Sequence, residues 1–362
     1  MNKMLLMIIL LSVKGYAQTV EGIPTDRMPA VNIDSFKISQ LVTAIDNGTY
    51  PNIHSLLITR HGKLVFEKYW PGADEIWGDG IGVVKHAKDS VHDIRSISKS
   101  IVSACIGIAI KQGKIKSVQQ RVFDFFPEYK QYDTGWKSLL TIEHLLTMTS
   151  GLRWNEEVPY DNPDNSEIRM VRSPNPIEYV LMQPMDVAPG KLWKYNGGTT
   201  QLLAAIIQKV SGQPIEKFAA NYLYKPLGIT KYVWLKYPKT NMAAAASGVR
   251  LRSRDLLKFG LLYYHKGVWN KKQILPASWV EASFKSYVKR DDGGYGYQFW
   301  LFADERQRPI IAAVGNGDQR IIFYPHADLL VVVTAGNYNK WDIPNNSGTM
   351  MKEYIVPAVI RD

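Results

Sequence analysis

Strand-like segments at both ends of the chain, with helical ones between them, predict an α/β protein of the α+β kind. The expected form is an antiparallel sheet flanked by helices, with a mainly helical insertion. Two β-rich runs open the folded part and four more lie near the C-terminus, each following the last through a short turn. That order is not the strand–helix–strand alternation of a parallel sheet. A chain of 362 residues, 46% hydrophobic, is long enough for a large core and two structural lobes. The sheet domain is expected from residues 30–112 together with 240–362, and the helical insertion from 113–239.

Residues 1–17 read as a signal peptide: Lys3, an apolar run from Met4 to Val13, then Gly15-Tyr-Ala17 before the cleavage point, with Lys14 an atypical feature. The run is too short for a bilayer core of about 30 Å, and no later segment reaches about 18 uncharged apolar residues. Export to the periplasm or the exterior, with no stable membrane span, is the expectation. Ile33 to Ile45 reads as a helix capped by Asp34. Ile53–Arg60 and Lys63–Trp70, separated by His61-Gly62, read as a hairpin. Three helices follow: Leu140 to Met148, stopped near Gly151; Thr200 to Val210, stopped near Gly212; and Pro214 to Leu223. Prolines 159, 163, 174, 176, 184 and 189 put irregular loops around a cleft. Gly296–Phe302, Pro309–Val314, Gln319–Tyr324 and Leu329–Thr334 read as strands, and Asn346 to Val356 as a closing helix.

Composition excludes several function classes. The formal charge of +11 becomes +9 without Lys3 and Lys14, but the basic residues are scattered and no nucleic-acid-binding motif accompanies them. Cys105 is the only cysteine, so a disulfide framework and a thiolate metal site are both absent. The histidines at 54, 61, 86, 92, 144, 265 and 326 form no compact ligand pattern, and Glu143-His144 stands alone in a helical block. No G-x-S-x-G elbow occurs. Gly78-Asp-Gly80-Ile-Gly82 lacks the lysine of a phosphate loop and reads as a turn leading toward Val91. Neither a cofactor nor a metal is expected, and the oligomeric state is open.

The chemistry-bearing segment is Asp93-Ile-Arg-Ser-Ile-Ser-Lys-Ser-Ile-Val-Ser-Ala-Cys-Ile-Gly-Ile-Ala-Ile110. Ser96 and Lys99 are three apart, so on a helix their β-carbons lie about 5–6 Å apart on one face. The apolar run after Lys99 reads as a helix buried on most sides, a rigid mount whose first-turn N–H groups favour a developing oxyanion. A partly desolvated Lys99 with a lowered pKa would help take the serine proton. A second S-x-x-K, Ser286-Tyr-Val-Lys289, precedes a polar turn and has no apolar helix after it.

Four ordered blocks, Ile94–Lys111, Thr141–Gly151, Pro189–Gly198 and Pro226–Ile229, resemble the serine β-lactamase and penicillin-binding-protein superfamily. The likeness runs from about Ile53 to Gly336. It is nearest to the branch of class C β-lactamases, D-alanyl-D-alanine carboxypeptidases and esterases. It implies a β-lactamase/transpeptidase-like fold, Ser96 as nucleophile, Lys99 as its partner and Tyr195 as the tyrosine of Y-x-N. Trp193, Asn196, Gly197 and Gly315 would lie near substrate, with backbone N–H groups of Ser96 and Asn316 as oxyanion donors. Two departures stand out: Gly197 replaces the usual asparagine, and Ala313-Val-Gly315 lacks the cation of the last motif, for which Arg320 is a candidate substitute. Trp154, Tyr160, Tyr179 and Trp193 would supply an apolar wall. The implied function is a serine hydrolase, EC 3, acting through an acyl-enzyme on a small ester, amide or peptide-like substrate. The alternatives are a β-lactamase or D-Ala-D-Ala carboxypeptidase, and a non-catalytic peptidoglycan- or peptide-binding module.

Overall fold

Alternating apolar positions assemble into one eight-stranded antiparallel sheet. Its spatial order is Val288–Arg290, Gly293–Tyr295, Trp300–Ala303, Pro309–Gly315, Gln319–Tyr324, Leu329–Ala335, Ile53–Arg60 and Lys63–Tyr69. The computed structural model describes residues 18–340, 343 and 346–360, and the expected signal peptide at 1–17 lies outside them. The N-terminal hairpin pairs with the C-terminal strand, so both ends of the chain build one sheet. Its turn is the two-residue His61-Gly62, with φ of 52° and 69°, the left-handed pair that matches strand twist.

Both central strands, Ile53–Arg60 and Leu329–Ala335, are buried along their whole length because helices cover both faces. Leu57, Leu330 and Val332 point to one side, where the buried helix Ile97–Lys111 and the helix Ser253–Tyr264 pack. Leu56, Ile58, Val331 and Val333 point to the other, covered by Ser35–Asp46 and the C-terminal turns Asn346–Ile355. Asp34 caps Ser35–Asp46 through Phe36 N–H at 2.8 Å. The middle of the chain is helical as expected: Ile142–Leu146 capped by Thr141, Gly197–Ser211 ended by left-handed Gly212, and Ile215–Ala219 continuing toward Leu227. No helix among the described residues is long and apolar enough to cross a membrane.

The sequence reading merged or missed several elements. Gly296–Phe302 is strand only from Trp300, because Gln298 is left-handed and Gly296 N–H closes a turn on the Phe299 carbonyl. The second S-x-x-K runs into the edge strand Val288–Arg290, with the Ser286 hydroxyl bonded to the Val288 carbonyl. Gly78–Gly82 belongs to a hairpin, Pro71–Ile76 with Asp79–Lys85, and not merely to a turn. Polar, glycine-containing strands of this kind carry no apolar alternation to reveal them.

Candidate active site

Ser96 stands at the entrance to the helix Ile97–Lys111, and Arg95 before it adopts a left-handed φ of 48°. This sharp turn brings the serine to the wall of a cleft of about 640 Å³. Neighbouring serines are committed elsewhere: Ser98, Ser100 and Ser103 donate to the carbonyls of Arg95, Gln298 and Tyr297. The Lys99 ammonium donates to Ser96 Oγ at 3.1 Å and to the Ala246 carbonyl at 3.0 Å. It also lies 4.8 Å from the Tyr195 ring centre, and the Tyr195 phenol interacts electrostatically with both Ser96 and Lys99. Three groups separated by up to 99 positions in sequence thus meet at one point.

The electrostatics correct one expectation. Lys99 is 1% exposed, and desolvation, the largest single influence, pulls its pKa down. Tyr195, Glu167 and Glu156 together outweigh that and hold the ammonium above its ordinary value, so Lys99 is a fixed cation. Burial raises the Tyr195 phenol, and Lys99 opposes the rise. Burial and the charge of Glu167 push the Glu156 carboxyl well above the ordinary range. Glu156 Oε1 and Glu167 Oε2 are both buried without a hydrogen-bond partner. No spacing marks either glutamate in the sequence. Glu156 sits in a loop, and Glu167 lies in the first turn of Ser166–Arg172.

Other predicted site residues fall into two groups. Asn316 lines the cleft with Ser96, its side chain tied to Asn339 by two hydrogen bonds at 3.0 and 2.8 Å. Gly315 lacks a side chain because a Cβ would lie 2.3 Å from the Ile94 carbonyl; the strand end is pressed against the start of the serine helix. Asn196 is a buried helix cap, accepting from Thr199 N–H at 3.1 Å. A Cβ at Gly197 would lie 2.8 Å from Glu167 Oε2, so the glutamate fills the space beside it, and Gly197 N–H donates to Glu156. Trp193 packs against Tyr195 at a ring separation of 6.3 Å and against Trp300 at 5.8 Å.

The apolar wall differs from expectation. Tyr160 lines the cleft, as does Trp77, which the sequence reading did not single out. Trp154 is buried and packs edge-on against Tyr179. Arg320 does not substitute for the missing cation. It lies on the opposite face of the sheet beside Ile310 and Ile322, bonded to the Gly315 carbonyl at 3.3 Å. Arg95 and Arg172 are the arginines at the cleft, with Arg95 paired to Glu75 and Asp93.

The histidines require a second correction. His54, His86 and His92 converge with Asp74, their donor atoms within 4.8 Å of one another. Burial pulls His54 down to about 2 and His92 to about 3, and lowers His86 as well.

Comparisons with known proteins bear on the fold and the family. The 6-aminohexanoate-dimer hydrolase of Paenarthrobacter ureafaciens is 24% identical over 68% of this chain and 66% of its own length. Esterase EstB of Burkholderia gladioli is 26% identical over 48% of this chain and 44% of its own. The chain thus spans less than two thirds of either relative. The penicillin-binding protein of Bacillus halodurans has the same fold, with a TM-score of 0.66 at 18% identity over 86% of this chain and 99% of its own. Residues 54–342 match the family described as Beta-lactamase, so the chain belongs to that family and to the wider β-lactamase/transpeptidase superfamily of serine hydrolases.

Proposed function

We propose that the protein is a serine hydrolase, EC 3, that cleaves a small ester or peptide-like amide through an acyl-enzyme on Ser96. The observation that carries this reading is the meeting of Ser96 Oγ, Lys99 Nζ and the Tyr195 phenol at the cleft. Ser96 Oγ attacks the carbonyl carbon; its proton passes to the Tyr195 oxygen while the phenol's own proton passes to the leaving group. Lys99 remains an ammonium throughout and stabilises the charge that builds on the phenolic oxygen. The N–H groups of Ser96 and Asn316 receive the carbonyl oxygen. In the second half water replaces the leaving group, gives its proton to Tyr195, and the phenol returns one to Ser96. This sequence balances without a cofactor.

Substrate preference follows from what surrounds the serine. Glu167 fills the space beside Gly197, and no cation stands on the strand ending at Gly315. A β-lactam or a peptidoglycan stem presents a carboxylate that gains from a paired cation, and an acyl amide gains from a side-chain amide. An ester needs neither, so β-lactamase and D-Ala-D-Ala carboxypeptidase activities rank below esterase or amidase activity. Among the relatives one is named a 6-aminohexanoate-dimer hydrolase, one an esterase and others "Putative D-alanyl-D-alanine carboxypeptidase", so the ranking rests on the residues around Ser96. Residues 1–17 act as an export signal in this reading, which places the enzyme in the periplasm or outside the cell.

The test is the mature protein, with and without Ser96→Ala, assayed on short acyl esters, linear amides, D-Ala-D-Ala peptides and nitrocefin. Ester or amide turnover that falls by at least about 10³-fold in Ser96→Ala is expected. Rapid nitrocefin turnover with negligible esterase activity refutes the substrate ranking. Covalent labelling retained in Ser96→Ala refutes the nucleophile.

A further inference from the structure

Behind the serine helix, His54, Asp74, His86 and His92 come from three places: the strand Ile53–Arg60, the hairpin Pro71–Lys85 with the residue after it, and the strand Val91–Asp93. The four side chains are at most about 5% exposed. The hydrogen bonds around them decide which nitrogens carry protons. Asn52 Nδ2 donates to the Ala73 carbonyl at 3.0 Å, so its Oδ1 faces His54 Nε2 at 3.1 Å as an acceptor. His54 therefore carries its proton on Nε2. His92 Nδ1 faces the Asp93 carbonyl at 3.0 Å and the Tyr338 hydroxyl at 3.2 Å; the carbonyl can only accept, and Tyr338 O–H is directed to Asp74 in the arrangement where His92 carries its proton on Nδ1. The remaining nitrogens, His54 Nδ1 and His92 Nε2, then point lone pairs at each other across 2.7 Å.

Two further acceptors face the same point. Asp74 Oδ2 and His86 Nε2 are buried, have no hydrogen-bond partner, and lie 4.0 Å apart. Asp74 is held from behind, its Oδ1 accepting from Glu75 N–H at 2.9 Å and Tyr338 O–H at 3.2 Å. His92 Nε2 is 3.6 Å from that carboxylate. Facing lone pairs and a bare buried carboxylate oxygen are costly unless a cation lies among them. Metal bonds of about 2.0–2.1 Å in a tetrahedron set donor atoms about 3.3 Å apart. Here the donor atoms lie within 4.8 Å of one another, with His54 Nδ1 2.7 Å from His92 Nε2 and His86 Nε2 4.0 Å from Asp74 Oδ2. The backing of His54 by an amide oxygen and of His92 by a carbonyl oxygen is also the usual support of a metal-bound imidazole.

We propose that these four side chains form a closed, structural binding site for a zinc-type divalent cation, with His54 Nδ1, His86 Nε2, His92 Nε2 and Asp74 Oδ2 as ligands. Three neutral imidazoles and one carboxylate suit zinc and leave it no open position for substrate. The ion would tie the strand Ile53–Arg60 and the hairpin Pro71–Lys85 to the segment that leads into Ser96.

The test uses the mature full-length chain, stripped with a chelator and titrated with Zn²⁺ or Co²⁺ alone, beside His86→Gln and Asp74→Asn. Expected are one metal per chain by elemental analysis, a rise of several degrees in Tm on adding Zn²⁺, and at least about 10-fold weaker binding in each variant. Co²⁺ on the unmutated protein should give the intense visible absorption of four-coordinate nitrogen and oxygen ligation, with no thiolate band. That readout holds even if a variant fails to fold. Failure of the unmutated chain to bind either metal, a six-coordinate cobalt spectrum, or variant affinity equal to that of the parent overturns the proposal.

Discussion

The Ser96 cleft and the histidine cluster lie on either side of one short stretch, with His92 and Ser96 only four residues apart, yet they handle buried polarity in opposite ways. Beside the cleft the buried cation has its counterparts inside the protein: Lys99 faces Tyr195, Glu167 and Glu156, and donates to Ser96 and Ala246. In the histidine cluster acceptors face acceptors. A compensated cluster can remain poised beside solvent and act on an incoming carbonyl. An uncompensated one identifies the charge it needs. The difference separates a site that performs chemistry from one that binds.

The comparison breaks most directly at Tyr195. Tyr195→Phe removes the only group placed to pass a proton between Ser96 and a leaving group, and kcat on the best ester should fall about 10²–10⁴-fold with the fold intact by circular dichroism. Lys99→Met should match it, and also lower Tm because the glutamate pair loses its cation. If both variants keep rates within threefold of the parent, the compensated charges serve structure alone.

Gly315 tests the wall between the two regions. A methyl group there would meet the Ile94 carbonyl at 2.3 Å, so Gly315→Ala must push the strand away from the start of the serine helix. Destabilisation of about 1–3 kcal/mol by denaturant titration is expected, with a parallel loss of Ser96 labelling rate as Asn316 shifts. Unchanged stability and labelling would mean that the strand end yields freely and sets neither region.

Glu156 sharpens the comparison through pH. Its folded pKa is raised, so the native state keeps a proton that the unfolded chain releases above about 4.5. Stability from this group is therefore whole below that pH and is lost as pH rises through the folded value. Glu156→Gln should leave stability near pH 4 unchanged and make it fall less steeply between pH 5 and 8. An identical slope in parent and variant would show that Glu156 keeps no extra proton in the folded state.

What the sequence revealed follows the range of each interaction. Ser96 and Lys99 were found because three residues make nearly one helical turn, and the long strands because their apolar positions repeat over many residues. Tyr195 needed the family resemblance, since one tyrosine among twenty has no local mark. Glu156, Glu167 and the His54–Asp74–His86–His92 group escaped because their meeting depends on how separate strands and loops pack. Lys99 was located but its charge was misjudged for the same reason: the glutamates that hold its proton are 57 and 68 positions away. The hairpin Pro71–Lys85 was hidden by glycine and charge within its strands.

The smallest effect is expected at the rim of the cleft, where Arg290 lies 3.7 Å over the Trp193 ring and 4.6 Å from that of Trp300. Its ion pair with the largely exposed Asp292 adds little, so the stack is the interaction to test. Arg290→Gln should cost about 0.5–1 kcal/mol by thermal unfolding, and Arg290→Lys should recover only part of it, since a lysine keeps the charge but not the flat face. Trp193 in turn packs on Tyr195, which gives the stack a route to the phenol. If the stack is only wall, ester kcat stays within threefold of the parent in both variants. A tenfold fall in kcat at unchanged KM, restored in Arg290→Lys, would make Trp193 a positioning residue for Tyr195 and extend the compensated region out to the rim.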